Sequence, residues 1–369
     1  MSAMDTRTSG SGGAGADRRG TDGSRRPTIR DVAERAGVSK SLVSLAFISP
    51  DSVGAERRTR IREAADELGF RPNQVARSLN GTREDFVGIL VADTRNPVLV
   101  DVAEAARAEL ARSGKAGLMT SAVHPESLRD PAAGGDGWSA ASDARLDLEA
   151  VAMLADLRPS GVILVGSVPE MDRVVSQMGG ARIVIASGRS ERPGCAASVR
   201  GDDAAGMGLV VDHLVAHGHR RIGHVGGAGG PIADDRARAF REAIEGYALD
   251  PSLVARSDFA ERSGARAAAD LLALADPPTA ITALNDIAAI GVLTEVRRHG
   301  LVDRVAITGY DATHLSTLGP IDLTSVDPHS RDIGVWAARA LLGRVAPEGD
   351  VLVTPSLRVR SSSAWTRSI

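Results

Sequence analysis

From Phe86 onward, short aliphatic runs alternate with longer stretches whose apolar residues recur three and four positions apart. A run such as Phe86-Val-Gly-Ile-Leu-Val91 has no polar face, so as a strand it must be covered on both sides. The helical stretches each offer one apolar stripe to do the covering. Regular alternation of the two patterns predicts an α/β fold of parallel strands wrapped by crossover helices. Strands are expected over 86–91, 161–166, 182–186, 221–226, 280–284, 305–309 and 351–359. Helices are expected over 100–113, 203–217, 236–246, 265–274 and 287–299. The units outnumber what one sheet usually holds, so two lobes are expected. Aromatic residues make up 3% of the chain against 43% hydrophobic residues, so the cores must be built from Ala, Val, Leu and Ile. Residues 122–143, with Pro131, Gly134, Gly135 and Gly137, read as a flexible insertion.

The first 83 residues follow different rules. Residues 1–26 hold almost no large apolar side chain and are expected to be a disordered tail. Thr28 with Asp31 has capping-box character, and Ile29, Val32, Ala33 and Ala36 share a helical face that Gly37 ends. Ser39 can cap a second helix with Leu42, Val43 and Ala46 inside. A third carries Ile61, Ala64, Ala65 and Leu68 on one stripe and closes at Gly69. The four-residue break around Gly37 has helix-turn-helix length. A further segment, 73–79, is too short to hold a helix alone and, if helical, needs partners. Residues 1–83 carry 15 Lys and Arg against 10 Asp and Glu, while the remainder carries 29 against 37, within a net charge of -3. A basic head on an acidic body points to a polyanion met by the head alone. The expected segments are a tail over 1–26, a basic three-helix head over 27–71, a short linker over 72–83 and a two-lobed core over 84–369.

Several function classes lose support. The single cysteine, Cys195, excludes an internal disulfide framework and points to a reducing compartment. No apolar run reaches bilayer-spanning length and the N-terminus has no apolar signal core, so a soluble cytoplasmic protein is expected. His213 and His217, with His219 and His224 nearby, lack a carboxylate or thiolate to complete a metal site. The glycine-rich stretch Gly226-Gly-Ala-Gly-Gly230 lacks the Lys-Ser/Thr of a P-loop and reads as a loop at a cleft mouth. With no nucleophile–base pair and no cofactor fingerprint, neither an enzyme nor a bound cofactor or metal is expected.

The chain resembles the lactose-repressor family of bacterial regulators. The resemblance rests on Thr28-Ile-Arg-Asp-Val-Ala-Glu-Arg-Ala-Gly-Val-Ser39 and Arg71-Pro-Asn-Gln-Val-Ala-Arg-Ser-Leu79 in the head. It continues through Val87-Gly-Ile-Leu-Val-Ala-Asp-Thr-Arg-Asn-Pro97, His217-Gly-His-Arg-Arg-Ile222, Leu284-Asn-Asp286 and Gly309-Tyr-Asp311. The resemblance implies a three-helix head, a hinge helix and a core like a periplasmic sugar-binding protein. One lobe would hold roughly 85–199 and 327–353, the other roughly 200–326 and 354–362.

By that resemblance the second helix lies in the major groove and presents Ser39, Lys40, Ser41, Ser44 and Leu45. Lys40 can donate to guanine edges or phosphate, and Ser41 can serve either kind of base. Thr28 and Arg30 would contact the backbone. Relatives very often carry Arg where this chain has Leu45, which either meets a thymine methyl or contacts nothing. Asn73, Ala76 and Leu79 of the hinge would enter the minor groove, with Leu79 as a wedge between base steps.

The implied ligand residues are Asp93, Asn96 and Ser187 on one wall of a cleft, and Arg236, Phe259, Asn285, Asp311 and Ser330 on the other. Their chemistry suits a neutral, hydroxyl-rich molecule such as a sugar or nucleoside. Arg95, Arg189 and Arg238 are cations whose place relative to the cleft the sequence leaves open. The expected partners are that small molecule, near-palindromic double-stranded DNA and a second copy of the chain, since no leucine heptad follows the last strand to build a tetramer. The alternative is a transport-type sugar-binding protein, against which the head argues.

Overall fold

The computed structural model describes residues 27–70, 86–124, 129–130, 137–138, 145–189, 197–344 and 350–364. The expected tail, the hinge residues Asn73, Ala76 and Leu79, and Cys195 lie outside the described residues. Contacts divide the chain into two units, Met1–Asn80 and Gly81–Ile369.

The head holds α1 (Ile29–Ala36), α2 (Lys40–Ile48) and α3 (Ala55–Leu68). Asp31 accepts hydrogen bonds from the Thr28 N–H at 2.7 Å and the Thr28 hydroxyl at 2.8 Å, fixing the start of α1. Gly37 ends α1 in the left-handed conformation. Two residues on, the Ser39 hydroxyl accepts the Leu42 N–H at 3.2 Å and starts α2, a cap worth about 1 kcal/mol. Val32, Ala36, Val43, Ala46, Ile61 and Ala65 are buried together as one small core.

In the core unit, lobe 1 contains β1 (Phe86–Val91), β2 (Ala116–Ser121), β5 (Gly161–Val165), β6 (Arg182–Ala186), β7 (Ala197–Gly201) and β13 (Val351–Val353). They form one sheet in the order β13-β7-β6-β5-β1-β2, parallel throughout. Its crossover helices are α4 (Pro97–Arg112), α5 (Leu148–Asp156) and α6 (Met171–Gln177), and α11 (Ser330–Leu341) returns to pack beside α4. The last two helices touch backbone to backbone: a Cβ on Gly334 would stand 2.2 Å from the Val102 carbonyl oxygen.

Lobe 2 contains β8 (Ile222–Gly227), β9 (Val254–Ser257), β10 (Ala280–Ala283), β11 (Ala306–Tyr310), β12 (Thr324–Asp327) and β14 (Ser356–Arg358). Their order is β14-β12-β11-β10-β8-β9, with only β14 antiparallel to its neighbour. The helices are α7 (Asp203–Ala216), α8 (Pro231–Gly246), α9 (Glu261–Leu272) and α10 (Asp286–Arg298). The chain passes between lobes three times: from β7 into α7, from β12 into α11, and from β13 into β14.

Some element boundaries differ from expectation for local reasons. The helix expected from residue 100 begins at Pro97, and the one expected from 236 begins at Pro231; proline at the first helical turn gives up no hydrogen bond there. The single strand expected over 351–359 is two strands in different sheets. Pro355, which has no N–H to give a ladder, sits at the break. The expected insertion at 122–143 begins inside the fold, since Ala122 and Val123 are fully buried. Further along, β3 (Arg129–Asp130) pairs antiparallel with β4 (Gly137–Trp138).

Candidate functional site: a recognition helix and an interlobe cleft

On α2, Lys40, Ser41 and Leu45 are exposed, Ser44 is half-buried, and Val43 and Ala46 point into the head. This is one side chain face free for a groove and one committed to the bundle. Ser39 spends its hydroxyl on the cap. Arg30 is exposed at the start of α1, and the Thr28 hydroxyl is engaged by Asp31.

In the core, a cleft opens at the C-terminal ends of both sheets, where α/β folds place ligands. Six of the eight expected residues line it: Asp93, Asn96, Ser187, Arg236, Phe259 and Asp311. Asn285 and Ser330 do not. Asn285 is fully buried and caps α10, accepting the Ala288 N–H at 2.8 Å. Ser330 is the first residue of α11.

The lobe 1 wall is polar and locally paired. Asp93 takes three bonds from Arg95: its N–H at 2.9 Å, Nε at 2.8 Å and Nη2 at 2.7 Å. Asn96 is the N-cap of α4 and accepts the Val98 N–H at 3.2 Å. Ser187 follows β6 at φ +53° and Ser167 follows β5; both line the cleft.

The charged groups of the lobe 2 wall are buried and paired with one another. Arg236 on α8 donates from Nε to Asp203 at 2.9 Å, and from Nη1 to the Leu284 carbonyl at 2.5 Å and to Asp311 at 3.3 Å. Its guanidinium lies 3.6 Å over the Tyr310 ring. Burial works against that charge, but Asp203 and Asp311 outweigh it and hold the guanidinium pKa above its ordinary value. Burial pushes the Asp311 carboxyl up to about 7; Arg236 opposes this, and the nearby Asp286 and Asp203 reinforce it.

Sequence reasoning missed Asp203, Arg200 and Ser167. Asp203 and Arg200 flank the first interlobe crossing, 3.4 Å apart, and nothing local in sequence says which wall such residues join. Of the arginines left open, Arg95 pairs with Asp93, and Arg189 and Arg238 both pair with Asp235; none of the three lines the cleft. The histidine pair is committed elsewhere: His213 Nε2 lies 2.9 Å from the Ser363 hydroxyl, and His217 Nδ1 lies 2.8 Å from the His213 carbonyl. Among the described residues no group of three or more His, Cys, Asp or Glu could hold a metal ion, and no helix is long and apolar enough to cross a membrane.

A helix-turn-helix head carried with a two-lobed, cleft-bearing α/β core defines a ligand-responsive type of DNA-binding regulator. Residues 28–73 match the family of bacterial regulatory proteins of the lacI type, and residues 211–363 match the periplasmic binding protein-like domain. A lacI-type head joined to a periplasmic binding protein-like domain makes the chain a DNA-binding transcription regulator. Similar proteins include the HTH-type transcriptional repressor CytR of Escherichia coli (strain K12), 25% identical over 91% of this chain and 96% of that one. The HTH-type transcriptional regulator DegA of Bacillus subtilis (strain 168) is also 25% identical, over 91% of this chain and 98% of its own. The fold is that of the lac repressor dimer bound to operator and an anti-inducer, at 22% identity and a TM-score of 0.75, covering 93% of this chain and 100% of that one. A LacI transcriptional regulator from a Rhodococcus species has 26% identity and a TM-score of 0.64, covering 75% of this chain and 98% of its own.

Proposed function

We propose that the interlobe cleft binds a neutral, hydroxyl-rich effector, a sugar or nucleoside, and that its occupancy sets the affinity of a homodimer for a near-palindromic operator. The observation that carries this reading is the charge balance of the cleft. Arg236 sits between two carboxylates, and Arg200 faces Asp203 and, at 3.6 Å, Asp350. Among the described residues that line the cleft, a phosphate dianion would find no cation without a prior carboxylate partner, and would lie against Asp93 and Asp311 in a poorly solvated site. Hydroxyl groups instead give these carboxylates donors, and Phe259 offers an apolar face to a ring.

At the DNA end, the second helix with Ser39, Lys40, Ser41, Ser44 and Leu45 lies in the major groove, and Thr28 and Arg30 contact the phosphates. Asn73, Ala76 and Leu79 of the hinge, between a head at 27–71 and a core from residue 84, enter the minor groove. Head symmetry doubles the half-site, which is the reason for a dimer. The protein acts in the cytoplasm and turns nothing over; the relatives named above are regulators and a repressor, which supports that reading. Calorimetric titration with matched pairs, ribose against ribose 5-phosphate and cytidine against its monophosphate, tests the ligand class. The neutral member of a pair is expected to bind more tightly. Tighter binding of the phosphorylated member would overturn the neutral-ligand reading.

A further inference from the structure

Two consecutive residues that are not glycine, Asp311 and Ala312, stand at φ +100° and +45°. L-residues avoid this region, and a turn of this kind persists only where its surroundings determine it. The turn ends β11 and swings the Asp311 carboxylate towards Arg236. Every N–H through it has a partner: that of Asp311 goes to the Val326 carbonyl at 2.8 Å, that of Ala312 to Ser325 Oγ at 3.0 Å, and that of Thr313 to Asp286 Oδ2 at 2.7 Å.

The last two of these converge on one carboxylate. Asp286, the first residue of α10 and 1% exposed, accepts both the N–H and, at 2.8 Å, the hydroxyl of Thr313 on Oδ2. Its Oδ1 accepts the Ser325 hydroxyl at 2.5 Å, and that same hydroxyl oxygen receives the Ala312 N–H. The space is closed to anything larger: a Cβ on Gly309 would stand 2.5 Å from Asp286 Oδ1. We propose that Asp286 is a positioning residue of the cleft, which holds the Asp311–Ala312 turn through Thr313 and Ser325 and so sets the Asp311 carboxylate against Arg236. The Asn285-Asp286 and Tyr310-Asp311 pairs then form one device, in which Asn285 fixes the start of α10 and Asp286 fixes the turn opposite. The functional meaning rests on the cleft being the effector site; the geometry does not.

The test uses the ligand-free full chain carrying Asp286→Ala, Asp286→Asn or Ser325→Ala. Alanine removes all three acceptor bonds. Asparagine keeps them in reach, its carbonyl oxygen taking both Thr313 donors and its amide donating to Ser325 Oγ. Hydrogen exchange is read in peptides covering 309–316, with 222–227 and 280–284 as controls, alongside crystal structures. Asp286→Ala is expected to raise exchange at 309–316 tenfold or more, leave the controls unchanged, and carry Asp311 out of hydrogen-bonding distance of Arg236. Asp286→Asn is expected to stay within threefold of the parent. Parental protection at 309–316 with Asp311 unmoved in Asp286→Ala overturns the proposal. If Asp286→Ala fails to fold, Ser325→Ala severs only the Ala312 arm and is expected to raise exchange there severalfold; unchanged exchange again overturns it. Titration of the same variants with ribose and cytidine separates the two readings. A parent chain that binds neither, with the turn still loosened by Asp286→Ala, counts against the effector reading and leaves the positioning role standing.

Discussion

Lobe 1 and lobe 2 share a plan and fill it differently. The central strands of lobe 1 are aliphatic, and their buried side chains join one continuous apolar cluster with α4 and α11. Lobe 2 splits into two smaller clusters. Across its sheet runs an in-register polar row, His224, Thr282, Thr308 and Thr324, all buried. His224 Nδ1 lies 3.0 Å from the Thr282 hydroxyl, and burial pushes the ring pKa down to about 3, so the imidazole is neutral at neutral pH. The cleft walls repeat the contrast, with small, half-buried, locally paired groups on lobe 1 and mutually bonded buried charges on lobe 2. Apolar packing is forgiving, whereas buried polar networks hold directional groups in place only while every partner is present. Lobe 1 therefore supplies stability and an adaptable wall, and lobe 2 supplies a preorganised one.

The sharpest way to break this contrast is to remove the lobe 2 cation. Arg236→Ala leaves Asp311 without its guanidinium and Asp203 with Arg200 alone, both carboxylates being about 5% exposed. Breaking a buried pair in this manner costs about 3–5 kcal/mol, and the loss should deepen above pH 7, where the parent's Asp311 ionises against Arg236 while the variant's carboxyl, without that cation, is held protonated still higher. Urea denaturation of the variant at pH 6 and pH 8 measures both. A loss under about 1 kcal/mol would put this wall in the class of surface ion pairs.

The pH dependence follows from the same residues. Burial raises the Asp311 carboxyl to about 7 and the Asp286 carboxyl to about 6, above the ordinary value of 3.8. Arg236, Asp203 and Asp286 face Asp311, while Ser325, Thr313 and Arg360 face Asp286. Between these values the folded core binds more protons than the unfolded chain, so this contribution is complete below about pH 4 and is lost as pH rises through 6 and 7. The total change is of the order of a few kcal/mol. Glu109 in lobe 1 has the opposite sign: Arg339 lowers its pKa, and its contribution is lost as pH falls. The urea midpoint should therefore fall from pH 5 to pH 8, and Asp311→Asn should flatten that slope. A slope that Asp311→Asn leaves unchanged would remove Asp311 as its source.

The polar row gives a prediction of opposite sign. The Thr308 hydroxyl is buried and has no hydrogen-bond partner among the described residues. Thr308→Val removes an unsatisfied group at nearly constant volume, so it should be neutral or stabilise by about 1 kcal/mol. In the same row, Thr282→Val strips His224 Nδ1 of its partner and should destabilise by roughly 1–3 kcal/mol. Equal effects from the two variants would mean that the row acts by volume alone.

The two lobes were not equally legible in the sequence. Strands such as Gly161–Val165 and helices such as Asp203–Ala216 announce themselves by composition and period, because burial on both faces or one leaves that signature. Asn96-Pro97 and Gly230-Pro231 carried the helix-start signal as well, but the amphipathic stripe begins later and hides it. Arg236 and Asp311 were legible only through resemblance. That Asn285 serves a helix end was visible in its position before α10, where asparagine is a preferred cap. Arg200 and Asp203 were not legible at all, since a crossing segment acquires its role only when both sheets are in place.

The smallest effect is expected on the lobe 1 wall, at Arg95→Ala. The Arg95–Asp93 pair has good geometry, with Nη2 to Oδ2 at 2.7 Å and side chains 28% and 16% exposed. Water still reaches both groups, and holding the long arginine side chain costs rotamer freedom of up to about 2 kcal/mol, which offsets much of the attraction. Asp93 is not orphaned by the change, because the backbone N–H of residue 95 remains bonded to Oδ1 at 2.9 Å. The variant should therefore lose no more than about 1 kcal/mol, and less in high salt. Urea denaturation at about 0.05 M and about 0.5 M salt, which span the screening range, reads both. A loss above about 2 kcal/mol that persists in high salt would show Asp93 to be as dependent on its partner as Asp311 is on Arg236. The two walls would then be of one kind, and the preorganised face of the cleft would extend across both lobes.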